Sequence, residues 1–286
     1  MKLLKKIKKG QHLLSSKIDT KRLSNDKENS VSLSLMYDII QAARKNEWSD
    51  EEMQALQTII DLRSHYSETK DTVSISDYGF GSADDKRTEE QMLEGVVKTS
   101  QVSQVYKNAS SSKKWGELMF RIIRAYKPLS CFELGTCLGI SAAYGALALK
   151  LNNNGEFITL EGATELARIA DKSLRKFKLD NFSIIEGKFQ DNLPSLLKKY
   201  NDIDFVFIDG HHEEKATLNY FEMFYTSLNN PAIIIFDDIN WSAGMNKAWQ
   251  KIKNDVRINW TIDFYFRGVC YIDKKKSTKQ NYKAWI

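Results

Sequence analysis

Residues 131–141 read CFELGTCLGIS. An apolar run closes on Glu133, two glycines follow four apart, Gly135 and Gly139, and Ser141 comes next. This is how a buried strand hands over to a helix through a tight turn. Glycine lets the backbone bend and lets a ligand approach, and the helix start offers free N–H groups. The dinucleotide fingerprint G-x-G-x-x-G, with Gly135 as its first glycine, requires glycines at 137 and 140. Cys137 and Ile140 stand there instead. A phosphate loop ending in Lys-Ser/Thr is also missing from this stretch. The turn therefore suits close backbone approach to a nucleotide-like ligand without a cradle for a pyrophosphate.

Working outward, apolar β-branched runs alternate with amphipathic segments. The strands are CFELG (131–135), EFITLE (156–161), FSIIEG (182–187), DFVFID (204–209) and AIIIFDD (232–238). Helices are expected to begin near Ile140, Ala163, Asp191, Glu213 and Ser242. Strands apolar on both faces, joined by crossover helices, predict an α/β, Rossmann-like doubly wound, mostly parallel sheet. NWTIDFYFRGVCYID (259–273) reads as two strands with a turn around Arg267 and Gly268, an antiparallel C-terminal hairpin.

Upstream, VSLSLMYDIIQAARK (31–45) and SDEEMQALQTIIDLRSHY (49–66) carry helical periodicity, with Ser49 or Asp50 as N-cap. A further helix from Trp115 ends before Pro128. SDYGFGSADDKRTEEQ (76–91) reads as a charged loop, and residues 10–30 as a flexible polar segment. Residues 1–112 thus form a helical N-terminal extension with a flexible basic start, and residues 113–286 the main domain.

The net charge is +5, and five lysines stand in the first nine residues, so the remainder sums to zero. A nucleic-acid partner is not expected of such a body. MKLLKKIKK reads two ways, as a solvated terminus or as a weak membrane-surface contact by residues 1–9. It lacks the apolar centre of a signal peptide, and no run approaches the roughly 18 apolar residues of a membrane span. The three cysteines, Cys131, Cys137 and Cys270, lie in or beside apolar runs without metal-site spacing. They read as reduced core thiols of a cytoplasmic protein.

In a doubly wound sheet, ligands sit beyond the carboxyl ends of the strands. Glu133, Glu161, Glu186, Asp209, Asp237 and Asp238 all stand at such ends. Here a resemblance becomes usable. ELGTCLGIS resembles the first motif of class I S-adenosylmethionine-dependent methyltransferases, in the form found in the catechol and caffeoyl-CoA O-methyltransferase group. FITLEG, EGKFQDNLPSL, FVFIDGHH and IIIFDDINW resemble its later motifs, in the same order. The resemblance runs from about Trp115 to Asp273. It implies a seven-stranded sheet and O-methylation of a small-molecule acceptor; the extension, residues 1–112, is expected either to cover the active site or to mediate a homodimer.

Carried over residue by residue, it places Gly135 and Gly139 along the methionine portion of the cofactor, Glu133 in support of that loop, and Ser141 near the carboxylate. Glu161 would take the ribose hydroxyls, Phe189 and Gln190 would flank adenine, and Asp209 would lie near the methionine amino group. It also implies Mg2+ or another divalent cation, held by Asp209, Asp237 and Asp238, although the third ligand of the group is usually asparagine where Asp238 stands. Three carboxylates together repel one another unless a cation joins them. The competing reading has Asp237 and Asp238 capping the following helix. His212 stands where the group carries a lysine base, and histidine can do that work near neutral pH. Asn240, Trp241 and Met245 are candidates for the acceptor wall. The rivals are a metal-independent O- or N-methyltransferase using His212, a dehydrogenase with a degenerate fingerprint, and a non-catalytic cofactor-binding protein.

Overall fold

The computed structural model describes residues 2–78, 91 and 94–286. Its centre is an eight-stranded sheet of β3 (Ser130–Leu134), β4 (Glu156–Glu161), β5 (Phe182–Glu186), β6 (Ile203–Ile208), β7 (Leu228–Phe236), β8 (Trp260–Asp263), β9 (Gly268–Ile272) and β10 (Gln280–Lys283). The order across the sheet is β10-β8-β9-β7-β6-β3-β4-β5. Only β9 runs antiparallel to its neighbours, β7 and β8. The strand order reverses between β3 and β6, which pair in parallel with Leu134 opposite Ile208. This is the switch point at which such sheets bind ligands.

The alternation of strand side chains builds two cores. Cys131, Phe157, Phe205, Phe207, Ile233 and Ile235 face one side, and Phe132, Ile158, Val206, Ile208, Ile234 and Phe236 the other. On the first side pack α5 (Lys113–Tyr126), α6 (Ile140–Leu151) and α7 (Thr164–Lys176). On the second pack α8 (Phe189–Lys199), α9 (Glu214–Ser227) and α10 (Ala243–Asn254). Parallel strands covered on both faces must be apolar on both, and that is why they were legible as continuous runs.

The N-terminal extension shares the first core. Its α2 (Val31–Lys45) and α3 (Asp50–Glu68) contribute Met36, Ile40, Ile59 and Leu62 to it. Ser49 caps α3 in a full capping box with Glu52, each bond 3.2 Å long.

Three expectations are corrected. The sheet has eight strands rather than seven, because Gln280–Lys283 adds an edge strand parallel to β8. Residues 10–30 are not a flexible stretch: α1 covers Lys2–Asp26 and a 3-10 turn covers Lys27–Asn29. His12, Ser16 and Leu23 are buried, with His12 Nε2 3.2 Å from the Ala284 carbonyl. Arg22 lies over the Tyr282 ring, whose hydroxyl donates to Asp26 at 2.7 Å. The partner of this helix is the chain's other end, so its few buried positions carry little local pattern. Finally, the extension is not purely helical. β1 (Thr72–Asp77) and β2 (Val96–Gln101) form an antiparallel pair, followed by α4 (Val102–Ala109). Positions 79–90 of the expected loop lie outside the described residues, as do the side chains of residues 1–6 and 8 of the expected membrane contact. Among the described residues no helix is long and apolar enough to cross a membrane.

Candidate active site

β3 hands over to the loop at Gly135, where φ is +108°. A Cβ there would stand 2.1 Å from the Asp209 carbonyl oxygen. Only glycine lets the ends of β3 and β6 come this close. Gly139, with φ +75°, is the left-handed N-cap of α6. Between them the Cys137 amide donates to Glu161 Oε2 at 2.7 Å, and the Ala163 amide donates to Glu161 Oε1 at 2.8 Å. Both oxygens of Glu161 are therefore pinned at the end of β4. Burial pushes its carboxyl above the ordinary value, opposed by the amides of Ala163, Cys137 and Gly162.

These strand ends open into a cavity of about 730 Å³. Gly135, Glu161, Phe189, Gln190, Asp209, His212, Asp237 and Asp238 all line it. Glu133, Gly139 and Ser141 are not among its walls; they sit behind the loop. Glu133 is fully buried and accepts from Thr159 Oγ1 at 2.6 Å, and Thr159 in turn meets Thr136 Oγ1 at 2.6 Å. That chain ties the acid to the glycine loop.

At the mouth, His212 Nε2 is 3.9 Å from Asp209 Oδ1, and its ring centroid is 5.4 Å from that of Trp241. His211 also lines the cavity, and its Nδ1 lies 3.1 Å from the Tyr220 hydroxyl on α9. Burial lowers its pKa, so a packing role suits it. Trp241 lines the cavity. Asn240 instead donates to the Tyr265 carbonyl at 2.6 Å, and Met245 is buried.

The acids are governed by Arg267, in the turn between β8 and β9. Arg267 is 4% exposed and grips Asp237 with both ends of its fork: Nε to Oδ1 at 2.9 Å and Nη2 to Oδ2 at 2.8 Å. Burial alone would raise the Asp237 carboxyl, but the guanidinium's charge and hydrogen bonds, helped by the Asp238 amide, take it below the ordinary value. Asp209 goes the opposite way, well above the ordinary value. Burial is the first cause and the Asp237 charge the second, although 18% of its side chain stays open. Neither Asp237 nor Asp238 is the N-cap of α10; Ser242 is, accepting from the Met245 amide at 3.1 Å.

The cavity suits S-adenosylmethionine. Its volume lies within the usual range for small-molecule sites, its glycine turn admits close approach, and the doubly anchored Glu161 lines it. It does not suit a divalent cation held by three carboxylates. Both oxygens of Asp237 are committed to Arg267, and among the described residues no group of three His, Cys, Asp or Glu side chains is arranged to hold a metal ion.

Sequence reasoning missed a whole wall of the site. Ile75 and Tyr78 from the β1 side, Lys98 on β2, Ser111 and Trp115 all face the cavity. The β-branched alternation in TVSISD and VVKTSQ was the available signal for the hairpin. For Arg267, the signal was the one cation of an apolar hairpin, and a buried cation must find a partner.

Residues 132–239 match a family model described as a methyltransferase domain. A catechol O-methyltransferase of Mus musculus is 34% identical over 110 residues, which are 35% of this chain and 41% of that protein. One of Bos taurus is 28% identical over 142 residues, 45% of this chain and 52% of that protein. The chain thus spans about half or less of the length of these curated relatives. Among solved structures, an O-methyltransferase from Bacillus cereus in complex with SAH superposes with a TM-score of 0.50 at 22% identity, covering 58% of this chain and 83% of that one. The likeness to that structure is one of fold. Residues 132–239 thus match a methyltransferase domain, and part of the chain is similar in sequence to catechol O-methyltransferases.

Proposed function

We propose that the protein transfers a methyl group from S-adenosylmethionine to an oxygen of a small-molecule acceptor, with His212 as general base. The observation that supports this best is the convergence of Glu161, Phe189, Gln190, Asp209 and His212, from three separate strand ends, on one cavity. S-adenosylmethionine supplies, when bound, an electrophilic sulfonium methyl. Glu161, anchored by two amides, binds the ribose hydroxyls; Phe189 and Gln190 flank the adenine; Asp209 lies by the methionine amino group. Trp115, Trp241 and Phe266 line the same cavity and offer flat apolar contact to an acceptor. His212 Nε2, oriented by Asp209, takes the acceptor proton as attack proceeds. Much of the acceleration then comes from positioning.

Calorimetric titration with S-adenosylhomocysteine tests the cofactor assignment. Wild type should bind, and Glu161→Ala should weaken binding about tenfold to a hundredfold, the worth of a hydrogen bond to a charged group. Unchanged affinity in the variant would remove Glu161 from the ribose. His212→Ala should lower turnover by roughly 10²- to 10⁴-fold while leaving that affinity alone. Undiminished transfer from radiolabelled donor to an acceptor that wild type methylates would exclude His212 as the base.

A further inference from the structure

We propose that Arg267 is the resident cation of this site and stands in place of a divalent metal, so that the acceptor is methylated without one. This rests on the methyl-transfer reading above and is separable from it by experiment. Asp209, Asp237 and Asp238 line one cavity at the ends of β6 and β7, and acids sharing a cavity favour a positive charge among them. The charge is supplied from the turn between β8 and β9. Arg267 makes a two-point fork on Asp237 and spends a further Nη2 bond on Ser111 Oγ at 2.7 Å. Its Cζ lies 4.9 Å from the Phe207 ring centroid and 5.5 Å from that of Trp115, so aromatic faces hold the guanidinium in plane.

Asp237 Oδ1 also accepts from the Asp238 amide at 2.8 Å. A metal approaching this carboxylate would compete with three hydrogen bonds already made to its oxygens and would meet the charge of a guanidinium that is 4% exposed beside it. Arginine stays protonated throughout the physiological range. The site therefore carries a permanent positive charge on the same cavity wall as His212 and Asp209.

Electron paramagnetic resonance of Mn2+ decides the matter. The full chain, saturated with S-adenosylhomocysteine, is titrated with Mn2+, and the free six-line signal is followed. Wild type should leave that signal undiminished at an equimolar ratio. Loss of free signal to the wild-type protein would overturn the proposal. Arg267→Met frees the Asp237 carboxylate, and the folded variant should gain Mn2+ binding that wild type lacks. No gain in a folded variant would mean that these acids form no cation site for Arg267 to fill, which also overturns it. Should the variant not fold, the wild-type titration alone decides. Calorimetry on the same samples keeps the two ideas apart. Failure of S-adenosylhomocysteine to bind sinks the methyltransferase reading, whereas Mn2+ binding beside bound S-adenosylhomocysteine sinks only the role of Arg267.

Discussion

Glu133 sits beneath the glycine loop with no exposed surface, and its Oε1 has no hydrogen-bond partner among the described residues. Burial pushes its carboxyl from 4.5 up to about 7, against the pull of the Ser141 and Thr159 hydroxyls. A raised folded-state value means that the fold favours the protonated acid. The associated stability is fully present below about pH 4.5 and is lost as pH rises through about 7. Glu133→Gln keeps the shape and stays neutral, so it should remove this slope. Between those pH values wild type should lose on the order of 3 kcal/mol more unfolding free energy than the variant, as urea denaturation at each pH would read. A variant with the wild-type slope would place the titrating group elsewhere. At this scale the sequence was generous. Glu161, Gly135 and Asp209 all lie at strand ends, and their neighbours in the chain announce those ends. Arg267 was not legible as a site residue, because its partner, Asp237, lies 30 residues away on another strand.

At the scale of elements, the five parallel strands and the two hairpin strands read from the sequence (β3 to β9) are present; β3, β4, β6 and β7 lie inside the sheet, where burial demands an apolar run, whereas β5 is an edge strand with only Phe182 buried. The helices between them begin within about two residues of their expected starts, within the usual fraying of helix boundaries. The missed elements share one cause. β10 is the four-residue QNYK on a sheet edge, and β2 is mostly exposed. α1 buries His12, Ser16 and Leu23 while Leu14 and Ile18 stand 66% and 73% exposed. These segments owe their form to partners far along the chain, so their own periodicity is weak.

At the scale of the molecule, the helical layer and the sheet meet beside the cavity at Trp115. Its ring packs edge-on against Phe264, with centroids 5.8 Å apart, and lies beside Arg267 while also lining the cavity. It joins the start of α5, the turn between β8 and β9, and the cavity wall. Trp115→Ala should lower the free energy of unfolding by about 2 kcal/mol, less than for a fully buried tryptophan because this one is only half-buried. Chemical denaturation would show it, and an unmoved midpoint would mean that the joint carries no load.

Local chemistry was enough to specify the doubly wound sheet, the glycine turn and the acids at the strand ends. Apolar periodicity and turn chemistry act between neighbours, and a parallel strand buried on both faces can hardly be written otherwise. The charge balance of the site and the wall above it required the folded chain. Arg267 meets Asp237, and β1 and β2 reach the cavity, through contacts between distant segments. Each is stabilised by burying a charge or a surface against a partner that the local sequence does not name.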